Sequence, residues 1–187
     1  MTRLEDVIFR VARPEDTDEV VDFLVKNLCY TSPINTSLKF DEEDCLCNYE
    51  AKVRHALPDG FSVVAVDKTR NKIVGCTGFA VRRDLQKGGV GRTMMEYFSS
   101  EDYLEAKGVH GTVGVATSVA SLKVSLGMGA IPLAEMEYEE FFAANGLPFE
   151  GAFTDGTSKA VLIFTPIGRH RHFRVGAVKV KCQRAKL

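Results

Sequence analysis

Gln86-Lys87-Gly88-Gly89-Val90-Gly91 places three glycines within four residues, directly ahead of a stretch with helical periodicity. Glycine lets a backbone turn tightly and approach a ligand closely. Amide groups in such a loop can point one way, and the N-terminus of the following helix adds partial positive charge. That combination suits a pyrophosphate, with Lys87 and Arg92 at its rim. Two nucleotide patterns do not fit. No G-K-[ST] follows, so this is not a P-loop, and the third glycine of G-x-G-x-x-G is missing. The pattern that does fit is Q/R-x-x-G-x-G/A, with Gln86, Gly89 and Gly91 at its fixed positions. Taken alone, the loop reads equally as a glycine-rich turn without a ligand.

Around the loop, strand and helix patterns alternate. Val7 to Ala12 reads as a strand, and Arg13-Pro14-Glu15-Asp16 opens a helix carrying Val20, Val21, Phe23, Leu24 and Leu28 at helical spacing. Thr31 to Asn35 breaks that helix, and a second runs from about Asp41 to His55. Phe61 to Val66 and Ile73 to Val81 read as a β-hairpin across the polar turn Lys68 to Asn71. The loop follows, then a helix from about Arg92 to Lys107 and a strand from Val109 to Ala116. Ser118 to Leu126 is a short helix ended by Gly127 and Gly129. Ile131 to Tyr138 and Ala160 to Thr165 are the last strands. The order predicts a mixed α/β domain.

The chain has 187 residues, which favours a single domain at roughly 100–200 residues per domain. It contains no run of 18 apolar residues and no hydrophobic signal region near Met1, so the sequence predicts a cytoplasmic protein without a membrane partner. The five cysteines, Cys29, Cys45, Cys47, Cys76 and Cys182, form no C-x-x-C pair and read as reduced thiols. No second cysteine or histidine pair completes a zinc set with Cys45 and Cys47, so no metal is expected. Residues 168–187 hold seven of the 24 basic residues and none of the 25 acids, leaving a body with a net charge of −8. The sequence therefore divides into a domain at 1–167 and a basic tail at 168–187.

The loop pattern resembles the coenzyme-A loop of the GNAT acetyltransferase superfamily. Further segments resemble, in order, the insect arylalkylamine (dopamine) N-acetyltransferases and their nematode relatives. Ser32-Pro33-Ile34-Asn35-Thr36 is similar to their E-P-L-N segment, and Leu57-Pro58-Asp59 to the turn before a strand. Thr117-Ser118-Val119-Ala120-Ser121, followed by Gly129-Ala130, is similar to their S-S-x-x-S helix ending in G-F. Met136-Glu137-Tyr138 resembles the strand after it. The resemblance covers about residues 7–167.

The resemblance implies a mostly antiparallel central sheet flanked by helices. It also implies transfer of acetyl from acetyl-CoA to a small-molecule primary amine of arylalkylamine type, by direct attack. It assigns cofactor binding to Leu85, Gln86, Lys87, Gly88, Gly89, Val90, Gly91 and Arg92, and to Ser118. It places Ser32 where the family has its glutamate base, and Thr117 and Ser121 where the family has serines associated with proton transfer. Only a neutral amine attacks a carbonyl, so the reaction needs a base, and a serine alone does not deprotonate an ammonium near pH 7. Ser121 also reads as a capping hydroxyl. About fifty residues that the resemblance places between hairpin and loop are absent, since Val81 leads to Gln86 within five residues. Either the hairpin strand takes over the role of the strand ahead of the loop, or the sheet lacks one central strand. Ser32 and the short connection motivate an alternative, a catalytically impaired relative that binds coenzyme A or a partner. Only Phe173 interleaves with the basic tail's charges, which argues against nucleic acid as a partner. Members commonly dimerise, so a homodimer is compatible with the resemblance.

Overall fold

The computed structural model describes residues 3–77, 80–82, 85, 88–98, 104, 106–149, 153 and 155–167. Seven strands and six helices among them follow the expected alternation, and every strand pairing is antiparallel. The chain divides into two compact units, Met1–Tyr103 and Leu104–Leu187.

The first unit has a four-stranded sheet in the order β1-β2-β3-β4, with β1 at Val7–Val11, β2 at Val63–Asp67, β3 at Lys72–Cys76 and β4 at Ala80–Val81. All five residues of β2 are buried, and the first four are apolar, as expected of a strand covered on both faces. Alternation divides it between two cores. Val64 and Val66 join Val20, Phe23, Leu24, Tyr49 and Val53 from α1 (Thr17–Leu28) and α3 (Glu42–Ala56). Val63 and Ala65 join Val7, Val74, Leu85, Val90 and Met94, the last two from α4 (Val90–Phe98). Asp41 and Asp44 cap α3 reciprocally, each side chain accepting the other's backbone N–H at 2.9 and 3.2 Å.

Two readings of this unit are corrected. The segment read as a breaker contains a short helix, α2 (Pro33–Ser37), begun by a proline whose missing N–H costs a first turn nothing. The stretch from Ile73 to Val81 is not one strand. It reverses after Cys76 and returns as β4, pairing Cys76 with Ala80 and Gly75 with Val81. The reversal follows Thr77, whose Oγ1 accepts the Val63 N–H at 2.8 Å while its own N–H bonds the Val63 carbonyl at 2.9 Å. The strand ahead of the loop therefore exists, reduced to two residues.

The second unit has a three-stranded sheet, β5 (Gly111–Ala116), β7 (Lys159–Pro166) and β6 (Ile131–Glu137), with β7 in the middle. Leu122 of α5 (Val119–Gly127) packs on Ala116, Ala130, Val161 and Ile163. Strand β6 ends one residue earlier than its sequence suggests, because Tyr138 begins α6 (Tyr138–Ala144). That helix turns Tyr138 and Phe142 into an aromatic cluster, in which the Tyr138 and Phe153 rings stack at 4.1 Å.

Cys29, Cys45 and Cys76 are buried, Cys47 is exposed, and all four are unbridged. Burial pushes the thiols of Cys45 and Cys76 up to about 12. No helix among the described residues is long and apolar enough to cross a membrane.

Candidate functional site

The glycine loop hangs between two anchors. Leu85 on one side and Val90 on the other are buried beneath the first sheet, 3 % and 0 % exposed, and between them Gly88 and Gly89 are exposed. The Gly88 N–H bonds the Leu85 carbonyl at 3.0 Å, closing a tight turn. Gly89 adopts φ +82°, and its carbonyl accepts the Thr93 N–H at 3.0 Å, so it caps the start of α4. Among the described residues no acceptor meets the amides of Gly89, Val90, Gly91 and Arg92. A helix leaves its first N–H groups open in this way, and here they follow two exposed glycines, Gly88 and Gly89. A Cβ on Gly91 would rest 3.4 Å from Val81, so the first turn of α4 lies against β4. Arg92, expected at the rim, is paired with Glu96 one turn along its own helix at 2.7 Å. Gln86 and Lys87 lie outside the described residues.

Ser32 is the N-cap of α2, yet its side chain makes no capping bond. Its carbonyl accepts the Thr36 N–H and hydroxyl at 3.0 and 3.1 Å. The segment around it is fixed by a residue to which sequence reasoning gave no role. Asn35 is buried, and its amide donates to the Leu28 carbonyl at 3.2 Å and to the Tyr49 hydroxyl at 2.7 Å, tying α2 to α1 and α3. Its place in the matching segment was the available signal. Downstream, Asp41 is engaged in the cap of α3, and Glu42 accepts the Tyr30 hydroxyl at 3.3 Å.

Thr117, Ser118 and Ser121 stand at the N-terminus of α5. Ser118 caps it, its hydroxyl accepting the Ser121 N–H at 3.1 Å. The Ser121 hydroxyl accepts the Ser118 N–H at 3.1 Å and donates to the Ser118 carbonyl at 3.0 Å. The pair forms a capping box, the structural alternative for Ser121. The Thr117 hydroxyl has no partner among the described residues. The Thr117 carbonyl accepts the hydroxyl of Tyr138 at 3.1 Å, and desolvation followed by the charge of Asp155 raises that phenol above its ordinary range. The Val119 N–H bonds Thr157 at 3.1 Å, fixing the same turn from β7's side.

No protein-family model matches the sequence, and no curated protein matches it. Solved structures do. Arylalkylamine N-acetyltransferase 2 of Aedes aegypti superimposes with a TM-score of 0.75 at 13 % identity, over 87 % of this chain and all of that one. The polyamine N-acetyltransferase of Drosophila melanogaster gives 0.67 at 13 %, again over 87 % of this chain and all of that one. The C-terminal condensation domain of Ebony, solved with β-alanyl-dopamine, gives 0.69 at 12 %, over 89 % of this chain and all of that one. At these identities the likeness is one of backbone, and the third neighbour shows that this backbone serves condensation as well as acetylation. The open loop amides, the antiparallel pairings and these superpositions agree on one point: the chain has the fold of the GNAT N-acetyltransferases.

Proposed function

We propose that this protein binds acetyl-CoA at the 85–92 loop and transfers the acetyl group to the nitrogen of a primary amine. The observation that carries the reading is the loop itself. Its buried anchors hold exposed glycines at a helix start where several amides have no acceptor among the described residues. Those residues fit a pyrophosphate, which asks for backbone donors at close approach. The two N-acetyltransferase neighbours support the reaction class, and arylalkylamines and polyamines are the amines to try first.

Acetyl-CoA, when bound, supplies a thioester carbonyl that a neutral amine can attack. In this reading Leu85 and Val90 position the loop, and the amides from Gly89 to Arg92 hold the diphosphate. Ser118 and Ser121 fix the turn carrying Thr117. Of the two hydroxyls, that of Thr117 has no partner among the described residues, and this reading gives it the return of a proton to the leaving thiolate. Ser121 would first have to release its capping bonds. Ser32 orients the amine or a water without deprotonating it.

Calorimetric titration with acetyl-CoA tests the binding step, repeated with Gly88→Glu. Gly88 is exposed and has no positive φ, so the substitution adds a carboxylate without backbone strain. Micromolar binding by the unsubstituted protein, lost in the variant, is expected. Release of free coenzyme A thiol over a panel of amines then tests transfer. A folded protein that does not bind acetyl-CoA overturns the reading.

A further inference from the structure

The acidic body and the basic tail are not absorbed by an acetyl-transfer reading. In the first unit, five carboxylates line a groove of about 650 Å³ between α1 and α3. Its floor is apolar. Val21 and Val25 come from α1 and Leu46 from α3, and Leu46 is 46 % exposed. Its walls are carboxylates, Asp18 and Asp22 on α1 and Glu42, Glu43 and Glu50 on α3. The spacing explains the arrangement. Positions 18, 21, 22 and 25 form one stripe of a helix, and positions 42, 46 and 50 form another, so each helix offers acids flanking an apolar ridge. Two cations answer five acids: Lys26 sits 2.6 Å from Asp22, and Arg54 sits 2.8 Å from Glu50 and 3.6 Å from Asp18. Counted over the described residues, the groove keeps a net charge of −3. Val21 is buried and Val25 half-buried, so Leu46 is the exposed apolar residue among the lining carboxylates.

The charge of the groove selects its occupant. A lipid surface or nucleic acid is anionic and would be repelled. A cationic peptide with interspersed apolar residues matches both floor and walls. The chain carries one such segment. Residues 168–187 hold seven Lys and Arg, no acid, and Phe173, Val175, Val178 and Val180 among the cations. We propose that the α1–α3 groove is a docking surface for the 168–187 segment of a second copy of this protein, so that copies associate through their own charge asymmetry.

Sedimentation velocity of the full chain tests this, over a range of protein concentrations and at two salt levels. Association is expected at about 50 mM salt, weakened at least tenfold at about 0.5 M, where exposed charges are screened within a few ångströms. A synthetic peptide of residues 168–187 is expected to compete and return the protein to monomers. The double substitution Glu43→Lys and Leu46→Glu, both at exposed positions, should weaken association about tenfold or more with an unchanged circular dichroism spectrum. Three outcomes would overturn the proposal: a monomer at every concentration and salt, association untouched by the peptide, or association untouched by the double substitution.

Discussion

Two glycines and one carboxylate show how much a single residue decides. Gly89 holds φ +82°, where a side chain is strained by about 1–2 kcal/mol. Gly89→Ala should lower stability by about that amount, read by urea unfolding, and weaken acetyl-CoA binding by disturbing the first open amides of α4. Gly111 is needed for a different reason. An added Cβ would collide with the Phe164 ring across the β5–β7 ladder and lie 3.0 Å from the Thr165 carbonyl. Gly111→Ala should cost about 1–3 kcal/mol in the same measurement, and Gly111→Ala with Phe164→Leu should recover part of it. Asp16 accepts two bonds from Arg10, at 2.6 and 2.7 Å, and the Arg13 N–H at 2.7 Å. The hydrogen bonds from Arg10, chiefly, hold its carboxyl below the ordinary carboxylate range. A depressed native pKa stabilises the fold above the unfolded value and loses that contribution as acid protonates the folded carboxylate. Asp16→Asn should therefore cost about 1.5–3 kcal/mol at pH 7, and the gap should close as the pH falls below about 4. Ser32 makes its own pH prediction. With no base at that position, kcat/KM should rise about tenfold per unit from pH 7 to 9, following the free-amine fraction of a group with a pKa near 10. Ser32→Glu should flatten that rise; an already flat profile would show that the protein has another base.

Elements record where sequence reading succeeds. The alternation of Val63, Val64, Ala65 and Val66 predicts a strand because each face has its own partner helices. Helix α5 was legible from its glycine punctuation, and Gly129 does take a positive φ just beyond it. What escaped depends on contacts distant in sequence. Nothing local in Ile73 to Val81 announces a reversal; it is set by Thr77 completing the ladder to Val63, fourteen residues away. Tyr138 reads as strand by propensity and begins α6 because its ring is claimed by Phe153. In the candidate site the loop was legible because glycines declare their conformation. The role of Ser121 was not, since a capping hydroxyl and a proton-transfer hydroxyl are the same atom. Ser121→Ala separates them. A cap alone predicts a loss of about 1 kcal/mol in stability with kcat unchanged. A role in proton transfer predicts a fall in kcat with KM unchanged.

Among the described residues the first unit carries two buried clusters, one on each face of β2, and the second unit carries one around β7. Ligand binding confined to one of them should be visible as such. Saturating acetyl-CoA, at about 100 times its Kd, adds about 2.7 kcal/mol to the state that binds it, or about 5–10 °C in Tm. Hydrogen exchange should slow first at the amides from Gly89 to Arg92. The fold class was readable from the order of elements, whereas the division into two units was not, because an element list does not say which elements share a sheet. The cysteines, finally, make the protein a convenient optical instrument. A chain shortened to end at Ile167 retains four thiols, of which three are buried and Cys47 alone is exposed. A maleimide dye would therefore mark one position on α3, the residue next to Leu46, and its emission would report directly on whatever settles between α1 and α3.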